Sequence, residues 1–538
     1  MPLGFSVRPA YARLAGWLGL VALGVAGCGD NDPTVYGPID RSKVPTMITA
    51  GAANGGAGGG SAGSAGAAHA GAAGSSAPTA GSGGGGGEAG TSGSAGASGG
   101  SAGSAGAANS YPTTCEDLGK EPVIPAACAT LTATKSAPGG VFADETALDT
   151  ATIQAAITAC PAGQAVKLAA AGENNAFLSG PLTLKSGVTL WIDQGVTLYA
   201  SRNPRLFDQA ANQCGSAVGG SSGCRPLIGA SGLTGAGVMG EGTIDGRGGM
   251  TMLGQDPPLS WWQVNDKAHL DGSMSGPRLV QTSGGKDFTL YKLHIQNAPK
   301  FHVVIGTSGF VVWGITIITD PTAPNTDGVD PSGASNGVIA YNTISTGDDN
   351  IAIKGSGPPI DNLVIAHNHF GKGHGMSIGS ETNGGVKNVK VCDLSLDGTG
   401  NGLRIKSDLS RGGLVQDIHY TDVCMRSVKE PFVFDPFYSS ATGTLIPYFK
   451  DIFLKNVHVL GGGASTFSGY DAAHVLTMSL DNVIMDSPET ATFDAQYASL
   501  TYGPAPVNFT PTGTGVTVTK NVTATDPGRD CSAAWVTF

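Results

Sequence analysis

The chain has 538 residues and a formal net charge of −11, from 41 acidic and 30 basic residues. This acidic balance argues against a nucleic-acid partner, which would need a basic surface. An anionic polymer would gain no general attraction from it either, so any anionic ligand must be met by a local basic cluster.

Residues 1–28 have the pattern of a secretion signal, in which Arg8 and Arg13 precede an apolar run over 14–26. The run is too short and too rich in glycine for a stable membrane span. Its ending, Val-Ala-Gly-Cys28, resembles the bacterial lipoprotein box, in which the cysteine is acylated and becomes the new N-terminus. We expect Cys28 to anchor the protein to a membrane, with the outer membrane or cell surface favoured. The alternative is an ordinary cleaved signal with an incidental cysteine.

Residues 29–110 are predicted to form a linker. Between 50 and 109 nearly every residue is Gly, Ala or Ser, with no aromatic side chain and almost no charge. Such a segment cannot bury enough apolar surface to fold. We therefore expect a disordered linker that holds a folded domain, residues 111–538, away from the membrane.

Residues 149–160 (DTATIQAAITAC) predict a short helix with Ile153, Ala156 and Ile157 on one face. Its apolar face indicates that it packs on the end of a larger apolar core.

Eight cysteines lie after Cys28, an even number that permits disulfides in an exported protein. We expect Cys214 to pair with Cys224 across a Gly/Ser loop, and Cys128 to pair with Cys160 beside the helix. The partners of the other four are left open. The sequence has no Cys-x-x-Cys pattern, so a zinc site of that kind is not expected.

A repeat of short apolar segments occupies the second half of the chain. The segments begin 22 to 34 residues apart, and their fifth residue is repeatedly Asn or Asp, as expected of a side chain that caps a turn between strands. Their first residues are Phe288, Phe310, Val338, Val364, Val389, Ile418 and Ile452. The Asn and Asp residues at the fifth position are Asn342, Asn368, Asp393, Asp422 and Asn456.

The repeats are rich in β-branched residues and show no ten-residue helical pattern. A repeat of this length with several short strands fits one coil of a parallel β-helix, which must stack on its neighbours to bury its apolar face. Propeller blades repeat at about 40 residues or more, and horseshoe repeats would show a leucine pattern that is absent. We therefore predict an all-β, right-handed parallel β-helix. Looser coils are expected around 187–192 and 240–246, and helix 149–160 is expected to cap the N-terminal end.

Polar residues recur at matching places in four successive repeats. When Val329, Ile351, Met376 and Leu403 are aligned, the residues two places earlier form one column. These residues are Asp327, Asp349, His374 and Asn401. A repeat that brings one polar side chain per coil to the same place predicts a functional site.

The aspartates in and beside this column suit acid–base chemistry. Asp327 and Asp349 stand one coil apart, so their backbones should be about 4.8 Å apart. Asp348 would face away from Asp349 in a regular strand, and both reach one site only if the chain bends at Gly347. Carboxylates this close cannot all ionise easily, so one should keep its proton to higher pH and can act as an acid. The plainer alternative, a turn cap or a calcium site, leaves the matching residues of the other repeats unexplained.

Arg404 and Lys406 are two residues apart and share a face, while Ile405 points to the core. Paired cations suit a sugar carboxylate, which an arginine can bind through two hydrogen bonds. The alternative is a solvated strand edge, where lysine is common. His374 lies between two glycines, which is a poor place for a core histidine.

These segments resemble the four signature motifs of the polygalacturonase family of glycoside hydrolases, in the same order. The motifs are Asn325-Thr326-Asp327, Gly347-Asp348-Asp349, Gly373-His374-Gly375 and Arg404-Ile405-Lys406. The resemblance covers residues 125–510, with weaker matches at 242–247 and 297–302. It implies a right-handed parallel β-helix that hydrolyses α-1,4-galacturonan, in polygalacturonate or pectin, with inversion and without metal or cofactor.

The resemblance also implies roles for four catalytic residues. Asp348 is the expected general acid. Asp327 and Asp349 are expected to hold and activate the attacking water, and His374 to support the protonation and geometry of the acid.

Four further residues are expected to bind the substrate. Arg404 and Lys406 would contact the galacturonate carboxylate, and Asn325 belongs to the first motif. Tyr438 lies about where the family has a substrate-binding tyrosine, although the surrounding Phe-Asp-Pro-Phe-Tyr is not a close match. The Arg-Ile-Lys triplet favours galacturonan over the rhamnogalacturonan that some relatives cleave.

Other functions stay open at this level. A pectate lyase on a similar solenoid would need calcium and a base that removes a carbon-bound proton, and another pectin-backbone hydrolase would share the fold. A non-enzymatic surface adhesin could also combine a lipid anchor, a stalk and a solenoid, but it would have no use for converging aspartates. We expect a monomer, and the sequence decides neither endo against exo cleavage nor tolerance of methyl-esterified pectin.

Overall fold

The computed structural model describes residues 111–216, 223–271, 276–526 and 528–538 of the chain. Within them, 29 strands form a solenoid in which each strand pairs in parallel with its equivalent in the next coil. The predicted all-β parallel β-helix is therefore confirmed. The predicted signal at 1–28 with its Cys28, and the predicted linker at 29–110, lie outside the described residues and stay predictions.

The strands form three parallel ladders, of which the first holds the aligned polar residues and is called the site ladder. Its members are β4 (Leu182–Thr183), β7 (Ile228–Ser231), β10 (Val280–Tyr291), β12 (Val303–Trp313), β14 (Val329–Pro331), β17 (Ile351–Ile353), β19 (Met376–Ile378), β21 (Asn401–Lys406), β23 (Glu430–Asp435), β25 (Ala464–Ser468) and β27 (Thr492–Gln496).

The second ladder, called the back ladder, includes the second halves of β10 and β12. Its other members are β1 (Ala127–Thr132), β2 (Gln164–Ala169), β5 (Val188–Ile192), β8 (Gly237–Met239), β15 (Ser335–Ala340), β18 (Ile360–Phe370), β20 (Val386–Asp397), β22 (Leu414–Arg426), β24 (Tyr448–Leu460), β26 (Leu476–Met485), β28 (Ala498–Tyr502) and β29 (Thr517–Lys520).

The third ladder is made of short strands and of the C-terminal ends of the long strands of the back ladder from β18 to β26. Its short members are β3 (Ala176–Ser179), β6 (Thr197–Ala200), β9 (Thr243–Asp245), β11 (His294–Gln296), β13 (Thr316–Ile318) and β16 (Thr343–Ser345). The inward side chains of the three ladders fill one continuous apolar core, because no single coil can bury its own apolar face.

The predicted capping helix is confirmed as α1 (Thr150–Ala159), which buries Ile153 and Ile157. A second helix, α2 (Trp261–Asp271), was not predicted. Ser260 begins it with a reciprocal cap: its hydroxyl accepts the N–H of Gln263 at 3.2 Å, and the Gln263 side chain accepts the N–H of Ser260 at 2.8 Å. Short 3₁₀ helices span Pro138–Gly140, Pro204–Leu206 and Pro488–Thr490. Among the described residues, neither α-helix is long and apolar enough to cross a membrane.

The predicted alignment of the apolar repeats is wrong by one residue at two places. In the back ladder Phe310 pairs with Gly337 rather than with Val338. The opposite shift restores the alignment two coils later, where Val389 pairs with Leu363 rather than with Val364. Gly337 occupies the inward place because the Phe310 ring fills the space, and a Cβ added at Gly337 would lie 2.2 Å from that ring.

The shift separates the predicted Asn/Asp row into two rows. Asn342 and Asn368 are buried and join neighbouring coils, with Nδ2 of Asn342 donating to Oδ1 of Asn368 at 2.9 Å. Asp393, Asp422 and Asn456 stand at a turn where φ is 49°, 58° and 54°. Asn and Asp tolerate this left-handed backbone better than most residues, so they fit the bend within β20, β22 and β24, and the predicted side-chain cap stays a prediction.

The segment before β1, residues 111–126, lies on the outer face of the back ladder and is called the strap. Leu118 of the strap is buried against outward-facing residues of three coils. They are Val338, Ala340, Val364, Ala366 and Cys392. Because the strap covers these residues, both faces of their strands are apolar, and the alternation that would reveal the strand register is lost.

Four disulfides join described residues, and two of them were predicted. Cys128–Cys160 and Cys214–Cys224 form as expected. The other two bridge 277 and 107 residues of sequence: Cys115–Cys392, which fastens the strap, and Cys424–Cys531. Disulfides of this number are typical of an oxidising compartment, so the folded domain belongs to an exported protein.

Candidate active site

The register of the site ladder brings the predicted column together. Val329 pairs with Ile351, Ile351 with Met376 and Met376 with Leu403. The residues two places earlier, Asp327, Asp349, His374 and Asn401, therefore follow one another along the ladder, as the alignment predicted. Adjacent coils are about 4.8 Å apart, so these side chains share one site.

A bend at Gly347 lets two consecutive aspartates reach that site. A Cβ on Gly347 would lie 2.1 Å from the carbonyl oxygen of Ala323, so the close approach of the two backbones requires glycine. The Asp348 carboxylate then folds back to accept the N–H of Asp349 at 2.8 Å through Oδ1. The predicted bend is confirmed, and both carboxylates lie near His374.

Asp327 is fully buried, and its carboxylate oxygen Oδ2 lies 3.5 Å from Nζ of Lys354. Burial raises the pKa of Asp327 well above its usual value, and the charges of Asp330 and Asp348 raise it further. Lys354 acts in the opposite direction and favours the ionised form. Asp327 is thus a carboxyl that holds its proton more tightly than an exposed aspartate.

Asp349 is also fully buried, but cations and a hydroxyl surround it. Its Oδ2 lies 3.1 Å from Nζ of Lys406, and its Oδ1 lies 3.5 Å from Nη1 of Arg404. The Ser377 hydroxyl donates to Oδ1 at 2.6 Å. These partners offset the cost of burying the charge, which an isolated carboxylate could not bear.

Asp348 is the one aspartate of the three with some exposed surface, 5% against 0% for Asp327 and Asp349. Its Oδ1 lies 3.1 Å from Nδ1 of His374, and the backbone N–H of His374 donates to the Asp348 carbonyl at 3.0 Å. Nδ2 of Asn325 approaches its Oδ2 at 3.4 Å. His374 and Asn325 therefore orient the only one of these carboxylates that reaches the surface of the site.

Arg404, Lys406 and Tyr438 form a second group beside Asp349. The Tyr438 ring centroid lies 5.4 Å from Cζ of Arg404 and 4.8 Å from Nζ of Lys406, so the loosely matching tyrosine does meet the two predicted cations. Arg404 is 2% exposed and Lys406 is 0% exposed. They are not the solvated strand edge considered as an alternative, and they contact a catalytic-site carboxylate as well as facing the site.

Three residues of the site were not predicted from the sequence: Asp330, Lys354 and Ser377. Their places in the repeat could have revealed them. Asp330 and Ser377 follow the aligned apolar residue directly, as Arg404 does, and Lys354 stands three places after it, as Lys406 does. The sequence signal for these three residues is therefore their match to the positions of Arg404 and Lys406 in the repeat.

The weaker match at 297–302 has a positioning role. Nδ1 of His302 lies 2.9 Å from the carbonyl oxygen of Asp327, and its Nε2 lies 2.7 Å from the Thr319 hydroxyl. Burial lowers the pKa of His302 to about 4, so its ring is neutral and fixes the backbone of Asp327.

A cation could be held by Asp348, Asp349 and His374, whose donor atoms lie within 4.8 Å of one another. Two carboxylates and an imidazole suit several divalent ions. Lys406 and Arg404 already supply positive charge to Asp349, however, and a cation would have to compete with them. The donor set is therefore compatible with a metal but does not require one.

This parallel β-helix gathers three carboxyl groups, a histidine and two cations. These are the groups that a glycoside hydrolase needs beside the bond it cleaves. The chain belongs to the glycosyl hydrolases family 28, which it matches over residues 160–487.

Relatives of known sequence or structure cover most of the folded domain. A polygalacturonase of Ralstonia nicotianae is 44% identical over 77% of this chain and 91% of its own length. An endo-polygalacturonase of Pectobacterium parmentieri is 43% identical over 69% of this chain and 89% of its own. The solved structure of a polygalacturonase from Erwinia carotovora ssp. carotovora matches with a TM-score of 0.67 and 41% identity, over 72% of this chain and all of that one (100%).

We predict that Asp327→Asn stabilises the protein while it removes activity. When the pKa of a carboxyl is raised in the folded state, the folded protein loses stability as the pH rises from the unfolded pKa of that carboxyl, about 3.9, to its folded pKa. Asparagine keeps the shape of the protonated form and does not titrate. The melting temperature of the variant, measured by calorimetry, should therefore exceed that of the wild type by more at pH 7 than at pH 4.

Asp193→Asn is a suitable control, because Asp193 lies outside the site with a side chain 34% exposed and paired to Lys167 at 2.8 Å. Its melting temperature should show no such gain. An Asp327→Asn protein that melts at or below the wild-type temperature at pH 7 would contradict the prediction.

Proposed function

We propose that this protein is an endo-acting polygalacturonase that hydrolyses α-1,4-galacturonosyl linkages of polygalacturonate and pectin by an inverting mechanism. The observation on which the proposal rests is the convergence of Asp327, Asp348 and Asp349 beside Arg404 and Lys406. Membership of glycosyl hydrolases family 28 and the similarity to an endo-polygalacturonase support it.

Asp348 acts as the general acid. It is the exposed member of the three, so its proton can reach the glycosidic oxygen, and His374 at 3.1 Å fixes its orientation. As the bond between the anomeric carbon and that oxygen breaks, the Asp348 proton passes to the leaving hydroxyl. The carboxylate left behind is stabilised by His374 and by the N–H of Asp349.

Asp327 and Asp349 hold the attacking water. Asp349 takes its proton, while Asp327, whose pKa is raised by burial, orients the water. Nζ of Lys406 and Nη1 of Arg404 lie 3.1 and 3.5 Å from the carboxyl oxygens of Asp349, and Nζ of Lys354 lies 3.5 Å from Oδ2 of Asp327. The water attacks the anomeric carbon from the face opposite the leaving group, which inverts the anomeric centre in a single displacement.

Arg404 and Tyr438, with Lys406 behind them, bind the carboxylate of a galacturonate unit. Asn325 contributes to substrate binding from the coil that precedes Asp348. The guanidinium is suited to two parallel hydrogen bonds with a carboxylate, and the Tyr438 ring limits its movement. A neutral galactose would leave these cations without an anionic ligand, which explains selection for galacturonate.

A calcium-dependent lyase is the second candidate function, because Asp348, Asp349 and His374 could hold a cation. The two reactions give different products: a lyase forms an unsaturated sugar, and a hydrolase consumes water and forms none. An adhesin would form neither product.

We also propose that the protein is a monomer anchored by lipid at Cys28. The lipoprotein box and the preceding apolar run support the anchor, and the disulfides of the folded domain fit an exported location.

We predict that the wild-type enzyme releases reducing ends from polygalacturonate in the presence of EDTA. Proton NMR of the first product should show the β-anomer, since the α-linkage is inverted. Asp348→Asn should reduce turnover by about 10²–10⁴-fold, the usual contribution of a general acid.

Asp361→Asn provides the control, because Asp361 lies on the back ladder with its side chain 37% exposed and paired to Lys387; it should keep wild-type turnover. Inactivation by EDTA with formation of a product that absorbs in the ultraviolet would favour the lyase. Initial α-product would refute the single displacement, and wild-type turnover in Asp348→Asn would refute the acid assignment.

We predict that the losses of activity in Arg404→Ala and Lys406→Ala depend differently on the charge of the substrate. Arg404→Ala should lower kcat/KM on polygalacturonate by about ten- to a hundredfold, as for loss of a charge-assisted contact, and by less on methyl-esterified pectin, where the partner charge is gone. Lys406→Ala should impair both substrates more evenly, because Lys406 is fully buried and lies nearer to Asp349, at 3.1 Å against 3.5 Å for Arg404. Equal losses for Arg404→Ala on charged and esterified substrate would show that Arg404 does not recognise charge.

We predict that full-length protein expressed in a bacterium with the lipoprotein pathway incorporates labelled palmitate, and that Cys28→Ser abolishes the label. The variant should also leave the membrane fraction for the soluble exported fraction. A wild-type protein without label would show that Cys28 is an incidental cysteine.

A further inference from the structure

A second group of cations lies on the other side of the catalytic carboxylates from Arg404. Arg278, Lys300 and Lys354 surround the ring of Phe301, and this set is called the Phe301 cluster. Their charged groups lie 5.4, 4.9 and 5.3 Å from the ring centroid. The arrangement matches that around Tyr438, where Arg404, Lys406 and Arg411 lie 5.4, 4.8 and 5.9 Å from the ring.

The register places the Phe301 cluster in line with the catalytic column. Val280 pairs with Val303, and Val303 pairs with Val329. The residues two places earlier are Arg278, Phe301 and Asp327, so the column of Asp327 and Asp349 continues through Phe301 to Arg278. Two coil spacings of about 4.8 Å place Arg278 about 10 Å from Asp327 at the backbone.

Arg404 stands at a similar distance on the opposite side. Ile351 pairs with Met376, and Met376 pairs with Leu403, which precedes Arg404. Two coils therefore separate Asp349 from Arg404, as two coils separate Asp327 from Arg278. The backbones of the coils that carry the three carboxylates thus lie midway between those of two arginines, and each arginine has Cζ 5.4 Å from the centroid of an aromatic ring.

The members of the Phe301 cluster differ in what they can contact. Lys300 is 1% exposed and Lys354 is 7% exposed, and Lys354 lies beside the buried Asp327. Arg278 is partly exposed, and its Nη1 approaches Oε1 of the partly exposed Gln281 at 3.4 Å. Arg278 is therefore the cation of the cluster that a ligand lying along the site ladder can reach.

We propose that Arg278 binds the carboxylate of a galacturonate unit on the side of the cleaved bond opposite to the unit held by Arg404. The Phe301 ring restricts the guanidinium so that its edge faces the ligand, and an arginine held in this way recognises a carboxylate through two hydrogen bonds. The Gln281 side chain adds a neutral polar group for the sugar hydroxyls.

This inference rests on the proposed function and extends it. A polymer that contacts both Arg278 and Arg404 must continue on both sides of the cleaved bond, so cleavage occurs within the chain and not at its end. The protein's net charge of −11 repels an anionic polymer in general, so a second local cation would strengthen binding where the substrate passes.

The test compares Arg278→Ala and Arg278→Lys with the wild type on galacturonate oligomers of two to eight units and on polygalacturonate. Arg278→Ala should lower kcat/KM on the long oligomers about tenfold, which corresponds to about 1.4 kcal/mol. Oligomers too short to reach from the catalytic carboxylates to Arg278 should change less than about twofold. Arg278→Lys keeps the charge without the fork and should recover part of the loss.

Two further readouts separate recognition of charge from a packing role. The preferred cleavage position on a long oligomer should move in Arg278→Ala, because one anchoring contact is missing. The loss should also shrink on methyl-esterified oligomers. Arg426→Ala is the control, since Arg426 lies on the third ladder, with its side chain 42% exposed and paired to Asp397; it should behave as the wild type.

Equal losses on short and long oligomers, or no loss on any, would overturn the inference while the wild type remained an active polygalacturonase. Failure of the proposed function would instead be seen in the wild type, as absence of hydrolysis. Melting temperatures of all variants, measured beside the rates, identify a loss that comes from misfolding, and Arg278→Lys then serves as the deciding variant.

Discussion

The parallel register of the site ladder is the constraint on which the rest of this protein depends. Backbone hydrogen bonds hold successive coils about 4.8 Å apart. Equivalent residues of neighbouring coils therefore lie beside one another. Negative charges on Asp327 and Asp349 repel each other at this spacing, and the two side chains would move apart if the backbone were free. The stacked coils prevent that, and the apolar core beneath them provides the stability that the carboxylates themselves do not.

Cations from neighbouring coils make such a cluster tolerable. Asp349 faces Lys406 and Arg404, and Asp327 faces Lys354. Removing one partner of a buried pair typically costs about 3–5 kcal/mol, because the remaining charge is left without compensation. The compensation is uneven, since the pKa of Asp327 stays raised. Asp327 therefore holds its proton more tightly than an exposed aspartate does, while two cations contact Asp349.

The same repeat that concentrates the carboxylates also distributes the groups that would bind the polymer. A site on a solenoid is long and open, so a substrate chain can contact several coils at once. Aromatic rings at Phe301 and Tyr438 hold cations on either side of the acids. In the proposed function, endo cleavage, galacturonate selection and inversion all follow from the placement of one polar side chain per coil.

The sequence by itself determined the β-helical repeat, the column of aligned polar residues, the helix at 149–160 and the two short-range disulfides, because each depends on neighbours in sequence or on one visible repeat. Tertiary structure alone decided the inward place of Gly337, which the Phe310 ring fills, and the role of the strap, fastened by Cys115 to a cysteine 277 residues away. It also decided that Lys354 meets Asp327. The physical reason is that local alternation shows to which side of a strand each side chain points, but not which residue lies opposite it in the neighbouring coil. Where the strap buries the outer face, even that alternation is lost.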